Sequence, residues 1–439
     1  MLNKIADFIE KQNLLNKDKR YLVAVSGGAD SVCLLLAMHR LGYQMEAVHC
    51  NFHLRGEESQ RDEQFVVNLC KMLNTELHLI HFDTTTYASI HQVSIEMAAR
   101  ELRYRYFEQL RKDVKADGIC VAHHQDDSVE TILLNMLRGT GIHGLTGIKA
   151  RNGYILRPLL CVSRKEIISW LEEQQQDFVT DSSNLEANVV RNKIRLNVIP
   201  QLKAINPNAC QQILHTAQRL QEAALVYDET MRETLSRLKN NDSIGVAALL
   251  KEPSPESILF EWLTPLGFAP KTIENICQGL PTLHAGRVWQ SDSHQLTYSQ
   301  GRLLVEPVQA ELPTLRIPES GTYVFNDTAK IRIEHMTGRH IEKDPTKASL
   351  DGNKVLYPLT LRPIQEGDRF QPFGMKGTKL VSDYLTDHHV NVFEKRRTLV
   401  LCDRNGDILW LVNHRPDARF CITDLSQETV LFSFFNKKK

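Results

Sequence analysis

Four short apolar runs in the first half of the chain, at 21–25, 45–49, 76–82 and 118–122, each lead into a longer stretch of helical spacing, at 31–41, 59–73, 94–112 and 127–138. This strand–helix rhythm predicts an α/β fold with a Rossmann-like parallel sheet covered by helices on both faces. Ligands in such sheets bind beyond the carboxyl ends of the strands, so chemistry is expected just after each apolar run. The 439 residues are too many for one ordinary core.

Further along, a helix at 163–175, a polar loop at 179–187 and a helix from 189 that stops at Pro200 precede Asn206-Pro207-Asn208. A long helical stretch follows at 209–238, then short and mostly helical signals to 300. Beyond 310 the texture turns to strands, as in Tyr323-Val324-Phe325, Ile331-Arg332-Ile333, Leu399 to Cys402 and Ile408 to Val412. The expected domains are therefore 1–212, the parallel-sheet domain; 213–312, small and mainly helical; and 313–439, small and α+β. The terminal Lys437-Lys438-Lys439 reads as a frayed tail.

Composition narrows the classes. With 53 basic and 53 acidic residues, net charge announces no nucleic-acid partner, and any such partner must be met by local patches. No run of some eighteen apolar residues suggests a membrane span, and Met1 to Ile5 reads as amphipathic helix instead of a secretory signal. Nine scattered cysteines without a C-x-x-C pair read as reduced thiols of a cytoplasmic protein.

The stretch "AVSGGADSVCLLL", 24–36, sits at the first strand–helix junction. Gly27 and Gly28 permit unusual backbone angles and close approach, and the following helix start favours an anion. Ser26 and Ser31 add hydroxyls. Asp30 is out of place beside a phosphate unless a metal ion or an amine stands between them. A plain βα turn capped by Asp30 or Ser31 would explain part of this, and the loop matches neither Walker A nor G-x-G-x-x-G. Ser-Gly-Gly-x-Asp-Ser after an apolar strand resembles the pyrophosphate-binding loop of the ATP pyrophosphatases, which split ATP between its α and β phosphates.

Other fragments choose among members of that superfamily. "AHHQDDSVET", 122–131, opens a helix with Asp127 and Glu130 on one side of its first turn. Asp-x-x-Glu is close to a capping box, but a cap does not need Asp126, His123 and His124 as well. The fragment resembles the A-H-x-x-D-D-x-x-E-T signature of the tRNA(Ile)-lysidine synthases and related thiolases. "HCNFHLR", 49–55, resembles their H-x-N-H-x-L-R segment, with Phe52 in place of a commoner histidine, which leaves His49, Asn51 and Arg55 in the pattern. "EMAARELRYRYF", 96–107, carries Arg100 and Arg103; Arg157-Pro158-Leu159, Asp181-Ser182-Ser183-Asn184 and "RNKIR", 191–195, complete the order. Arg191 and Arg195 share a helix face suited to a phosphate backbone. "GDRFQPFG", 367–374, and the basic Lys395-Arg396-Arg397 resemble the terminal domain of the longer lysidine synthases.

The resemblance implies an ATP-dependent ligase that joins free lysine to C2 of the wobble cytidine of a tRNA(Ile) with a CAU anticodon. The product reads AUA instead of AUG and carries isoleucine identity. It implies ATP and Mg2+ as cofactors. ATP would be bound by Ser26, Gly27, Gly28, Ala29, Asp30, Ser31, His49, Asn51 and His123. Lysine would be bound, and its transfer catalysed, by Asp30, Asp127 and Glu130. The tRNA would be gripped by Arg100, Arg103, Arg191, Arg195, Lys395, Arg396 and Arg397. No residue pattern sets the metal ligands, or decides between a monomer and a homodimer. A tRNA thiolase, an ammonia-using synthetase and a non-catalytic tRNA-binding module are the competing readings. The missing C-x-x-C, the long C-terminal region with its basic clusters and the intact acids at 30, 126, 127 and 130 weigh against them in turn.

Overall fold

Tyr21, Val23 and Val25 turn to one side of the first strand and join a core with the helices that follow, while Leu22 turns to the other side and packs with Phe107 and Leu110. A strand covered on both faces must be apolar at consecutive positions, which is why "YLVAV" does not alternate. The computed structural model describes residues 1–180, 190–375 and 377–436. The Asp181-Ser182-Ser183-Asn184 motif and the terminal lysines lie outside the described residues. The chain divides into two compact units, Met1–Asp228 and Glu229–Lys439.

In the first unit, α1 (Leu2–Lys11) precedes β1 (Arg20–Ala24), α2 (Ala29–Arg40), β2 (Gln44–Asn51), α3 (Glu57–Met72) and β3 (Leu77–His81). Then come α4 (Thr84–His91), α5 (Ile95–Asp113), β4 (Gly118–Cys120), α6 (Gln125–Leu137), β5 (Arg151–Asn152), β6 (Ile155–Leu156) and α7 (Arg164–Glu173). The sheet order is β3-β2-β1-β4-β6-β5, parallel except for β5. After β1 the chain moves outward through β2 to β3, then returns to place β4 on the other side of β1. That reversal opens a crevice above the carboxyl ends of β1 and β4. The α/β parallel-sheet expectation is met.

The helix expected to stop at Pro200 continues. It runs as α8 (Val190–Lys193), a π-helical turn Ile194–Val198 and α9 (Ile199–Ile205). Proline lacks an N–H and its ring crowds the carbonyl one turn back, so a wider turn before Pro200 lets the helix proceed. A long helix, α10 (Ala209–Leu238), comes next.

The second unit contains more sheet than expected. The stretch read as mainly helical does carry helices Pro255–Leu263 and Pro270–Gly279, but also a five-stranded sheet built from Lys239–Asn240, Ser243–Gly245, Val288–Gln290, His294–Ser299 and Arg302–Pro307. Its strands are short, and polar side chains stand at inward positions: Thr297 is fully buried, donating to the Arg287 carbonyl at 2.7 Å. Past 310, two four-stranded sheets share one core that includes Ile317, Ile331, Leu401, Trp410 and Phe432.

Candidate active site

The loop after β1 is fastened by one side chain. The Ser31 hydroxyl accepts from the Ser26 and Gly27 N–H groups, at 3.1 and 3.2 Å, and donates to the Gly28 carbonyl at 2.9 Å. It therefore shapes the loop from within. Gly27 has φ +94°, a backbone region that β-carbons disfavour, and its carbonyl accepts from Val179 N–H at 2.9 Å. Gly28 has an ordinary φ of −71°, so its missing side chain matters only for approach. Gly27→Ala is expected to cost about 1–2 kcal/mol and to weaken nucleotide binding, measurable by urea unfolding and ATP titration.

A cavity of about 540 Å³ opens beside this loop. Ser26, Gly28, Ala29, Asp30 and Ser31 line it, as do His123, Asp127, Arg103 and Arg195. His49 and Asn51, expected at the nucleotide, do not. Side chains alternate along a strand, so Val48, Cys50 and then Phe52 face the cavity while positions 49 and 51 face away. His49 is buried with Nδ1 2.8 Å from the Val25 carbonyl, and Asn51 Nδ2 donates to Glu63 at 2.7 Å. Both hold up the walls from behind. Phe52, the departure from the family pattern, stands on the cavity wall with the Arg103 guanidinium 5.1 Å over its ring and Phe82 stacked at 5.5 Å.

Glu130, expected among the amine-binding acids, does not line the cavity. It is fully buried and both oxygens are taken: Arg191 Nε donates at 2.8 Å and Arg195 Nε at 2.6 Å. Thus Arg191 and Arg195 do share a face, but it is turned inward onto a carboxylate. Arg195 alone of the two reaches the cavity lining. Arg100 lies over Tyr104 at 4.9 Å, outside the lining. In the second unit, Arg396 donates to Gln295 at 3.2 Å and Arg397 to Glu306 at 2.7 Å, while Lys395 reaches the Ser382 carbonyl. This basic cluster is engaged with the helix Val381–Asp387 and, through partners about a hundred residues away in sequence, with the strands His294–Ser299 and Arg302–Pro307.

Two residues that sequence reasoning did not place in the site carry its electrostatics. His124, 2% exposed, sits 3.6 Å from Asp30, 3.5 Å from Asp126 and 3.5 Å from Asp127. These are ion-pair separations: His124 Nδ1 and Asp30 Oδ1 are buried without a hydrogen-bond partner. Burial disfavours the imidazolium, but the surrounding Asp126, Asp30 and Asp127 outweigh it and lift the pKa to about 10. Reciprocally, His124 holds the Asp126 carboxyl down at about 2 against its burial. Burial pushes Asp30 up, yet His124 and Arg164 together bring it below the usual range. Arg164 is the second such residue, donating to Asp30 Oδ2 at 2.7 Å from the first turn of α7. The neighbouring His123 is the opposite case: burial lowers it, Asp127 opposes, and Arg157 lowers it further, to about 4. Its Nδ1 accepts from Arg157 Nε at 3.1 Å, so the proton of the neutral ring sits on Nε2.

Comparisons with known proteins fit this arrangement. A family model described as a PP-loop domain matches residues 1–202, one described as the TilS substrate binding domain matches 238–308, and one described as the TilS substrate C-terminal domain matches 359–431. A tRNA(Ile)-lysidine synthase of Bacteroides thetaiotaomicron is 44% identical over 429 residues, covering 98% of each chain. The chain belongs to the tRNA(Ile)-lysidine synthase family. Synthases of the same name from Parabacteroides distasonis, 42% identical over 99% of this chain and 100% of the relative, and from Porphyromonas gingivalis, 37% over 99% of each, agree. Within the family pattern, the "DD" and its preceding histidines are the motif from which His124 was there to be found. Its signal was the excess of acids over what a cap requires. Arg164 gave no signal, because its link to Asp30 spans 134 positions.

No helix among the described residues is long and apolar enough to cross a membrane. Among those residues the single set of three clustered metal-ligating side chains is Glu46, Glu76 and His78, none of which lines the cavity.

Proposed function

We propose that this protein ligates free lysine to C2 of the wobble cytidine in tRNA(Ile) bearing a CAU anticodon, using ATP and releasing AMP and pyrophosphate. The observation that carries the reading is one cavity that brings the glycine loop after β1, with Asp30 at its helical end, together with Asp127 at the start of α6. The cytosine C2=O is a poor electrophile. Attack of its O2 on the α-phosphorus of ATP breaks the bond to the β-phosphate and converts that oxygen into part of a good leaving group. The Ser26 hydroxyl, the Gly28 N–H and the α2 N-terminus are suited to the pyrophosphate charge that develops. Neutral His123 offers a ring N–H donor in the same cavity. The lysine ε-amine then attacks C2 in its neutral form, and AMP departs with the O2 oxygen. Asp30 and Asp127 are positioned to orient the amine and take up its proton.

Mg2+ would enter this cavity with ATP, and Asp127 is the cavity carboxylate that would hold it, since Asp30 is paired with Arg164 and His124. When bound, the ion offsets phosphate charge. Glu130 acts behind the wall, fixing Arg195 and, through Arg191, the Asp127 side. Arg100 and Arg103, on one helix at the cavity edge, are the arginines we assign to RNA contact, with the Arg103 guanidinium resting over the Phe52 ring. The regions 213–312 and 313–439 are assigned to the body of the tRNA, away from the anticodon chemistry.

Incubation with ATP, labelled lysine and transcripts bearing CAU or UAU anticodons tests the reading. Label is expected in the CAU transcript alone, and Asp30→Asn is expected to lower incorporation at least a hundredfold. Absence of label from the CAU transcript with the wild-type protein overturns it.

A further inference from the structure

An acidic pocket for a cationic amine should carry uncompensated negative charge. This one does not. In the cluster around the start of α6, Asp30, Asp126, Asp127 and Glu130 are met by His124, Arg164, Arg191 and Arg195, four carboxylates against four cations, and Asp62 on the cavity wall is met by Arg55 and Arg61. An ammonium group that enters must therefore displace a resident cation or leave the site with surplus positive charge. The four residents are not equally held. His124 is buried among three acids, and Arg191 and Arg195 each make more than one contact to the Asp127–Glu130 turn. Arg164 is different: its guanidinium donates to Asp30 Oδ2 at 2.7 Å, its side chain is 43% exposed, and it lines the cavity.

Its backbone is secured independently of that contact. The Arg164 N–H is bonded to Asp126 Oδ2 at 2.8 Å, and the Ser163–Glu166 capping box closes the start of α7. The side chain can thus leave Asp30 without disturbing the helix that bears it.

We propose that Arg164 is a place-holder cation: its guanidinium occupies on Asp30 the position taken by the ammonium of the amine substrate, so substrate binding exchanges one cation for another. The inference rests on the lysine-ligation reading. The exchange keeps the charge of the site constant and keeps Asp30 ionised and oriented before the amine arrives. It also sets a threshold that cations with few other contacts in the cavity do not pass, which makes Arg164 a specificity-determining residue.

Calorimetric titration of L-lysine into the full-length protein, with Mg2+ and a non-hydrolysable ATP analogue present, tests this. Arg164→Gln removes the competitor and is expected to tighten lysine binding roughly three- to tenfold. Arg164→Lys keeps a cation and is expected to restore an affinity near the wild type. In an Asp30→Asn background, Arg164→Gln is expected to change lysine affinity less than twofold, since the contested carboxylate is gone. Thermal unfolding of each variant checks that the unit remains folded. Unchanged or weaker lysine binding by a folded Arg164→Gln protein overturns the proposal, and a loss of analogue affinity instead would make Arg164 a phosphate ligand. Failure of the wild type and of every variant to bind lysine overturns the ligation reading, and this inference with it.

Discussion

Glu130→Ala is expected to destabilise the first unit by about 3 kcal/mol and to abolish lysine transfer. Glu130 is fully buried and receives both Arg191 and Arg195, so truncation leaves two guanidinium groups facing each other across a cavity. Breaking a buried pair by removing one partner typically costs about 3–5 kcal/mol. The low end applies here because the arginine side chains are 37% and 30% exposed and recover some hydration. Activity falls with stability because Arg195, a cavity residue, loses its anchor. Glu130→Gln, which keeps the volume and one acceptor oxygen, is expected to recover part of the stability. Urea unfolding, lysine incorporation and tRNA filter retention together read the result. A Glu130→Ala protein of wild-type stability and normal tRNA retention, yet without transfer, would instead mean that Glu130 meets the substrate directly.

The second large effect concerns His124 and pH. Its folded pKa is raised from about 6.5 to about 10, so its contribution to stability is complete below the unfolded value and disappears as pH rises through about 10. Asp126 works in the other direction: its folded pKa is depressed from 3.8 to about 2, so its contribution exists above the unfolded value and is lost as pH falls through about 2. The two are halves of one interaction and must not be summed. Between about pH 4 and 6.5 the cluster is fully formed. His124→Gln is expected to be less stable than the wild type by about 2–3 kcal/mol at pH 6, with the gap closing by pH 10. Urea unfolding at pH 6, 8 and 10 checks it. A gap that does not change with pH would mean that His124 contributes by packing and not by charge.

What could be read in the sequence was whatever is local. The anion loop, the parallel sheet and the Asp127 cap are set by residues within a few positions of each other, and spacing reports them directly. Facing was harder. His49 and Asn51 belong to a recognisable motif, yet the motif does not say which parity of β2 looks into the cavity, and Phe52 took the place assigned to its neighbours. Arg191 and Arg195 were correctly put on one helix face, but a basic face looks the same in sequence whether it meets phosphate or a buried glutamate. Arg164 and Asp30, 134 residues apart, could be joined only by the fold. The strands at 288–307 were obscured by inward polar residues such as Thr297 that satisfy themselves on backbone carbonyls.

The π-helical turn at Ile194–Val198 has a further consequence. In a regular α-helix, residues four apart are offset by about 40° around the axis, and a wider turn reduces that offset. Arg191 and Arg195 therefore come close to a common line and can grip the two oxygens of one carboxylate. The extra room in the turn works as a phase adjuster for the clamp. Losing Ile194 would set Arg195 back by one position, about 100° around the axis, carrying it off Glu130 without altering any residue of the site. Helical phase between 190 and 200, as much as residue identity, is what this active site inherits from its sequence.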